Sequence, residues 1–270
     1  MTEELEKIAE GREAELFLLP DGRVLRLARA ELPLAEQAVR LESIALVAAA
    51  EAGVPVPAFF ERVTRDGRPG LVIERLHGRD LLGLLGRRPW LLTSVARRTG
   101  ELHAELHRTE GPAALPALSD VVRFRIERSD AVPAELREEA FRALEELPRG
   151  DRLCHGDFHP GNVIGDGDRA SIVDWTNASR GEPTADVART WVVLEVSPLP
   201  PGASRIERAL TPLGRGTLLR GYMRAYARAG SLDPELLPRW IRVRAIERLV
   251  QEIPGEREAI LKRLGRERRR

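Results

Sequence analysis

The spacing of apolar positions changes character partway along the chain. Over the first 76 residues, short apolar runs are separated by turn residues. "AELFLLPDGRVLRLAR" reads as two strands, Leu16 to Leu19 and Val24 to Ala28, around a Pro-Asp-Gly turn. A helix is expected from about Leu34 to Ala52, closed by Gly53 and by "VPVP", whose prolines cannot continue it. "AFFERV" and "GLVIERL" then form a second strand pair around "TRDGRPG". From Asp80 onward the helical period takes over. It predicts helices over Ser94 to Arg108, Ala134 to Leu147, Arg205 to Ala229, Pro234 to Gln251 and Gly255 to Arg268. The strand signals in this half are "RLC", "NVI" and "ASIVDW". The pattern predicts an α+β chain with a small antiparallel-sheet lobe over residues 1–76. A hinge near Glu74 to Gly78 leads to a larger, mainly helical lobe over residues 77–270 with one short hairpin and its loop.

Composition narrows this picture. At 270 residues, with 43% hydrophobic and 31% charged positions, the chain is an ordinary globular protein able to bury a core. Its one cysteine, Cys154, excludes an internal disulfide and suits a reducing compartment. The opening "MTEELEKIAEG" is acidic, unlike a signal peptide, and no run approaches the ~18 apolar residues of a membrane span. A cytoplasmic protein without a membrane partner is expected. The net charge of +1 hides an asymmetry, because Ser204 to Arg270 carries 17 basic and 8 acidic residues. These arginines recur at helical spacing with glutamates between them, so no nucleic-acid partner is expected. Lysine occurs only at Lys7 and Lys262.

The chemistry concentrates in "LCHGDFHPGNVI", residues 153–164, where a polar cluster stands between short apolar runs. Asp157 is followed five positions later by Asn162 and then, at the end of the apolar run "ASIVD", by Asp174. A hairpin would deliver all three to one cleft. Two carboxylates and an amide oxygen are a hard-oxygen set suited to Mg²⁺, which keeps waters and substrate phosphates as its other ligands. Phosphoryl transfer needs such a set: a metal to neutralise charge and a carboxylate to orient and deprotonate the attacking hydroxyl. The protein kinase catalytic loop has its base and metal-binding asparagine at the same offset. Here, however, His-Gly precedes the first Asp, "DWT" replaces "DFG", and no "APE"-like segment follows.

The motifs "HGDFHPGNV", "IVDWTNASRGEPTADVA", "GELHAELHRT" and "ESIALVAAAEAGVPVP" together resemble the aminoglycoside phosphotransferase-like, or choline kinase-like, small-molecule kinases. The resemblance covers most of the chain. It implies a protein-kinase-like two-lobed fold that moves the γ-phosphate of ATP, or sometimes GTP, to a small-molecule hydroxyl. Carried over by position, Asp157 is the catalytic base, Asn162 and Asp174 are Mg²⁺ ligands, and Asp186 braces the loop. In the sheet lobe Arg26 takes the place of the cation that grips the α- and β-phosphates, and Glu42 the helix glutamate that orients it. Periodicity supports this pair: Arg26 interrupts an apolar strand, and Glu42 shares a face with Val39, Ala45, Leu46 and Ala49. An acid on that stripe needs a partner. The usual residue at the strand position is lysine, so Arg26 is a departure; its stiffer fork need not reach the same oxygens. Gly11 in "EGREAE" stands where a phosphate loop belongs. Glu74, Arg75 and Leu76 form the hinge whose backbone should meet a purine edge.

Blander readings exist for several positions. Asp157 alone could cap its own loop, and Arg26 with Glu42 could be a surface ion pair worth little. Cys154, His155 and His159 lie too close together for a common zinc motif, and no second Cys or His pair follows. His155 is assigned to hydrogen bonding within the loop, and His159 either to phosphate or to water. His103 and His107, four apart but not in "HExxH", are assigned to buried packing. Trp175 and Asn177 either pack or line an acceptor pocket. Arg180 faces phosphate or anchors to Glu182. The expected function is therefore an ATP- and Mg²⁺-dependent phosphotransferase with a small-molecule acceptor. The alternative is a non-catalytic nucleotide-binding regulator. The basic C-terminal helices argue for a neutral or anionic acceptor, with Glu195, Glu247 and Glu252 the available anchors for an amine.

Overall fold

The computed structural model describes residues 5–11, 13–165, 170–197 and 205–267. It opens with a five-stranded antiparallel sheet of β1 (Glu6–Glu10), β2 (Ala14–Leu18), β3 (Val24–Ala28), β4 (Phe59–Arg65) and β5 (Arg68–Ile73). The strand order is β1-β2-β3-β5-β4. Between β3 and β4 runs the helix α1 (Ala35–Glu51). The β4–β5 turn puts Asp66 (φ 50°) and Gly67 (φ 73°) in the left-handed region, as a two-residue hairpin turn matched to strand twist requires. Strand β3 is central and two-sided. Leu25 and Leu27 cluster with Phe17, Val63 and Val72 on the outer face. On the opposite face Arg26 lies across from Leu16 and Leu71. Ala28 and Leu71 pack there with Val39, Leu46 and Ala49 of α1.

The rest is mainly helical: α2 (Leu81–Arg87), α3 (Leu92–Leu106), α4 (Leu118–Glu127), α5 (Ala134–Glu146), α6 (Pro183–Val196), α7 (Arg205–Ala229), α8 (Leu236–Arg248) and α9 (Glu256–Glu267). Four short strands interrupt it: β6 (Arg152–Cys154), β7 (Val163–Gly165), β8 (Ala170–Ile172) and β9 (Ser179–Gly181). The apolar cluster under the sheet continues into this half through Leu81, Leu102, Phe158, Val163, Ile172 and Trp175, so one core joins both halves. A second core ties α4, α5, α6, α8 and α9 together. Helices α3 and α7 approach closely: a Cβ on Gly100 would stand 2.4 Å from the Tyr222 carbonyl oxygen. That approach is what lets tyrosines of α7 reach histidines of α3. No described helix is long and apolar enough to cross a membrane.

The elements predicted from periodicity are present within a few residues of their expected ends; the expected end of the last helix, Arg268, lies outside the described residues. Several features differ, and α2 and β9 are additions to the predicted elements. The N-terminal segment forms β1, an edge strand exposed at every residue, so no apolar alternation could mark it. Helix α4 was not separable from its flanks by pattern. The apolar stretch "ARTWVVLEV" lies within α6, which opens five residues earlier at Pro183, with the Glu182 side chain accepting from Thr184 N–H at 3.3 Å. Finally, "RLC" and "NVI" do not pair with each other. Strand β6 pairs with β9 and β7 with β8, so the polar loop spans two separate ribbons.

Candidate active site

The loop after β6 is held from behind by the first turn of α6. Asp186, fully buried, accepts the His155 N–H at 2.6 Å and the Gly156 N–H at 2.9 Å. Thr190, one turn on, donates its hydroxyl to the Phe158 carbonyl at 2.8 Å. Gly156 sits at φ 81°, and a Cβ there would fall 2.3 Å from the Asn177 carbonyl oxygen, so only glycine fits. His155 uses both ring nitrogens structurally, as expected. Nε2 donates to the Val173 carbonyl at 3.0 Å, and Nδ1 accepts from the Asp157 N–H at 3.3 Å.

His103 and His107 do more than pack. Their Nε2 atoms reach Asp186 at 3.2 and 3.3 Å, and their Nδ1 atoms meet the Tyr222 and Tyr226 hydroxyls at 2.8 and 2.7 Å. Burial, reinforced by His107, lowers the His103 pKa to about 3, so this ring is neutral and donates. Burial works against the charge of Asp186, yet bonds from the two histidines hold its carboxyl well below the usual range. These three side chains could in principle surround a cation. Every ring nitrogen already has a partner, however, so the cluster is accounted for as a hydrogen-bond network.

Asp157, in front of this brace, is 23% exposed, and its Oδ1 accepts from Arg189 Nε at 3.3 Å and Nη2 at 3.1 Å. Burial pushes its carboxyl up, but the charges of Arg189, His159 and Arg248 outweigh that and hold it low, so it is ionised. His159 Nδ1 accepts from the Gly161 N–H at 3.0 Å, which leaves Nε2 facing Asp157 Oδ2 at 3.9 Å. Asn162 donates its side-chain N–H to the Asp157 carbonyl at 2.9 Å and accepts the Val173 N–H on its own carbonyl. Its amide oxygen is thereby turned away from the loop backbone. Asp174 follows β8 in the left-handed region at φ 64°, a conformation that costs a non-glycine residue about 1–2 kcal/mol and is concentrated at functional sites. Its Oδ1 takes the Thr176 hydroxyl at 3.0 Å and Arg26 Nη2 at 3.1 Å. The exposed Oδ2 of Asp174 and the Asn162 amide oxygen are hard donors of the kind Mg²⁺ takes.

Arg26 crosses from sheet to helical half. Its Nη1 meets Glu42 at 2.8 Å while Nη2 holds Asp174. With Arg26 at 11% and Glu42 at 3% exposure, this is no surface pair. Burial pushes the Glu42 carboxyl up to about 7 against the pull of Arg26. Burial also works against the Arg26 charge, but Glu42 and Asp174 together raise its pKa. Both groups face a cavity of about 620 Å³ between the two halves. Gly11, in the β1–β2 turn, lines it, as do Glu74, Arg75 and Leu76. The hinge differs in one detail: the Glu74 N–H already bonds the Ala58 carbonyl at 2.8 Å, leaving the Glu74 carbonyl and the Leu76 backbone for a ligand. Asp157 and Asp174 line the same cavity, whereas Asn162, expected there with them, does not line it and is tied to this wall through its side-chain bond to the Asp157 carbonyl.

The far end of the cavity is formed by Trp175, Asn177, Arg248, Gln251 and Ile253. Trp175 is buried and donates its indole N–H to the Ile172 carbonyl at 3.1 Å, so it both packs and forms wall. Asn177 Oδ1 accepts from Arg125 at 2.6 Å. Arg180 takes neither expected role; it lies 3.7 Å from Glu110 and 3.5 Å from the Asp151 carbonyl. Several charges of the C-terminal helices, whose placement the pattern left open, are buried here. Arg244 and Glu247 of α8 are 2% exposed and Arg248 is 7% exposed. Glu247 bonds Arg125 at 3.0 Å and Arg244 at 2.9 Å, and Arg248 holds Glu256 at 2.7 and 2.9 Å. Arg189 was missed as well. Its signal was a lone charge inside the mainly apolar "VARTWVVL", where burial demands a partner.

The sequence profile described as the phosphotransferase enzyme family matches residues 4–232. No curated protein matches the sequence significantly. Among solved structures, an aminoglycoside-3'-phosphotransferase of type VIII superposes with a TM-score of 0.61 at 22% identity, covering 90% of this chain and 91% of its own. A choline/ethanolamine kinase family protein from Mesorhizobium loti gives 0.62 at 20%, covering 98% and 87%. An amicoumacin kinase in complex with AMP-PNP, Ca²⁺ and Ami gives 0.63 at 16%, covering 99% and 88%. At these identities the likeness establishes the protein-kinase-like fold.

Proposed function

The chain belongs to the phosphotransferase enzyme family, and we propose that it transfers the γ-phosphoryl group of ATP, or GTP, to a hydroxyl of a small molecule with Mg²⁺. The observation that carries this reading is the cavity itself, on which Asp157 and Asp174 converge from one side and the Arg26–Glu42 pair from the other. We take residues 1–76 as the nucleotide lobe and 77–270 as the lobe carrying the reactive loop and acceptor site. The single cysteine suits the reducing cytoplasm, where nucleoside triphosphates are abundant.

In this reading the purine lies against Glu74, Arg75 and Leu76, and the phosphates extend under Gly11 toward Arg26. Arg26 keeps Glu42 and exchanges Asp174 for phosphate oxygens. Asn162 and Asp174 would hold Mg²⁺, which when bound supplies charge neutralisation on the phosphates. Asp157, ionised and partly exposed to the cavity, accepts the proton of the acceptor hydroxyl and aligns it for in-line attack. The remaining acceleration comes from positioning and from charges fixed before the substrate arrives. The AMP-PNP and Ca²⁺ bound by the amicoumacin kinase support nucleotide and divalent metal as the ligands of this fold.

The acceptor end argues against a polycation. Glu247 is buried between two arginines, Glu195 is paired with Arg263, and Glu252 lines a separate groove with Arg125 and Arg257. None of these three expected amine anchors lines the cavity, which leaves a neutral or anionic acceptor as the better fit. The test is MgATP consumption against a panel of polyols, hydroxy acids, amino alcohols and an aminoglycoside, with phosphoester product read by ³¹P NMR. Turnover that Asp157→Asn abolishes is expected. Tight nucleotide binding without turnover on any member would favour the regulator instead.

A further inference from the structure

Arg189 stands on α6 one turn beyond Asp186 and is 1% exposed. It donates two hydrogen bonds, from Nε and Nη2, to one oxygen of Asp157 and forms no other hydrogen bond among the described residues. Nη1 of the same guanidinium is buried without a partner. Taking a cation out of water costs several kcal/mol, and here that cost is offset mainly by Asp157. A charge placed so expensively on an apolar helix, with all its bonds on one reactive oxygen, calls for a reason beyond folding. Asp186 and Thr190 already fix the loop backbone at His155, Gly156 and Phe158. Backbone bonds do not set the side-chain torsions of Asp157, and a partly exposed carboxylate is free to rotate about them.

We infer that Arg189 is a positioning residue for the reaction. It engages Oδ1 and so presents Oδ2 as the oxygen that receives the acceptor hydroxyl. His159 Nε2, 3.9 Å from Oδ2, borders that approach on the other side. One turn of α6 thus sets the loop twice: Asp186 fixes its main chain, and Arg189 fixes the direction of its carboxylate. The inference rests on the reading of Asp157 as the base.

Two measurements test it. In a crystal structure of Arg189→Met, the Asp157 carboxylate should leave its wild-type pose or split between rotamers; an unchanged, single pose would overturn the inference without reference to any acceptor. In MgATP turnover, Arg189→Met should lose kcat by about 10²-fold, the scale of a misplaced reacting group. The KM for ATP should stay within about two-fold, and Arg189→Lys, which keeps one donor and the charge, should recover part of the loss. Equal kcat in Arg189→Met and wild type would sink the idea, as would a loss carried entirely by KM. Methionine fits an apolar helix, and a matching thermal melt shows that the variant is folded; if it is not, Arg189→Lys carries both measurements. Full turnover in Asp157→Asn would remove the base assignment itself. An inactive Asp157→Asn beside a fully active Arg189→Met would remove only the role of Arg189.

Discussion

On the helical wall of the cavity, the N–H groups of His155, Gly156 and Asp157 and the Phe158 carbonyl each have a partner within the structure. On the sheet wall, one guanidinium serves two carboxylates, Glu42 at 3% exposure and Asp174 at 45%. The first arrangement over-determines a backbone and leaves nothing to exchange. The second is anchored at its buried end and replaceable at its wet end, because a solvent-facing ion pair is worth little and a triphosphate offers better oxygens. The contrast teaches where each wall spends its stability: the loop carrying Asp157 is made rigid, while the pair that the proposed function assigns to the nucleotide is kept able to trade partners.

That contrast can be broken at several points. The largest effect is expected at the reacting group. Asp157→Asn keeps an acceptor for Arg189 but removes the base, so turnover should fall by roughly 10²–10⁴-fold with ATP-analogue affinity nearly unchanged. Steady-state kinetics beside calorimetric binding will tell; comparable turnover would refute the role. Next comes the brace. Asp186→Ala leaves four donors without their acceptor in the core, and a loss of at least about 3 kcal/mol in urea unfolding is expected. A loss under about 1 kcal/mol would mean that the loop is held by other means.

The sheet wall should respond in binding before stability. Arg26→Gln should weaken MgATP-analogue affinity by about tenfold or more, with Arg26→Lys intermediate because a single ammonium cannot fork between two carboxylates. Identical affinities for all three proteins would show that Arg26 does not meet phosphate. Chelating the metal, or Asp174→Asn, should weaken the same affinity, and indifference to both would count against Asp174 as a ligand.

A further effect is expected on acid stability, and it belongs to the helical wall. His103 titrates near 3 in the folded chain against an ordinary 6.5. Between those values the unfolded chain binds a proton that the folded chain refuses. Its contribution is therefore present above about 6.5 and is lost as pH falls toward 3. The depressed Asp186 contributes above its ordinary value of 3.8 and loses that contribution only in stronger acid. Urea midpoints measured from pH 7 to pH 4 should thus decline in wild type and flatten in His103→Gln. A decline of equal slope in the variant would assign the acid sensitivity elsewhere.

How legible the site was depended on whether a residue's signal lay in its neighbours along the chain. Asp157, Asn162 and Asp174 stood out because their offsets are fixed by one loop and one hairpin. Arg26 and Glu42 stood out because each interrupts an apolar face, on a strand and on a helix. Arg189 carried the same kind of interruption, but its partner lies 32 residues away and nothing local named it. For α8, "IRVRAIERLV" has the composition of a wet helix. Only packing against α4, α6 and α9 makes Arg244, Glu247 and Arg248 a buried ion-pair network.

Local order along the chain therefore determined the alternation of strand and helix, the hard-oxygen triad and the paired charge on the sheet wall, since each depends on periodicity or on short, fixed offsets. The tertiary structure decided which charges are buried and whom they meet. It paired β6 with β9 rather than β7, took the expected amine anchors out of the cavity, and aimed Arg189 at a single oxygen of Asp157. Those outcomes follow from how helices distant in sequence dock, and the energy of an ion pair depends on the dielectric and distance that docking alone sets.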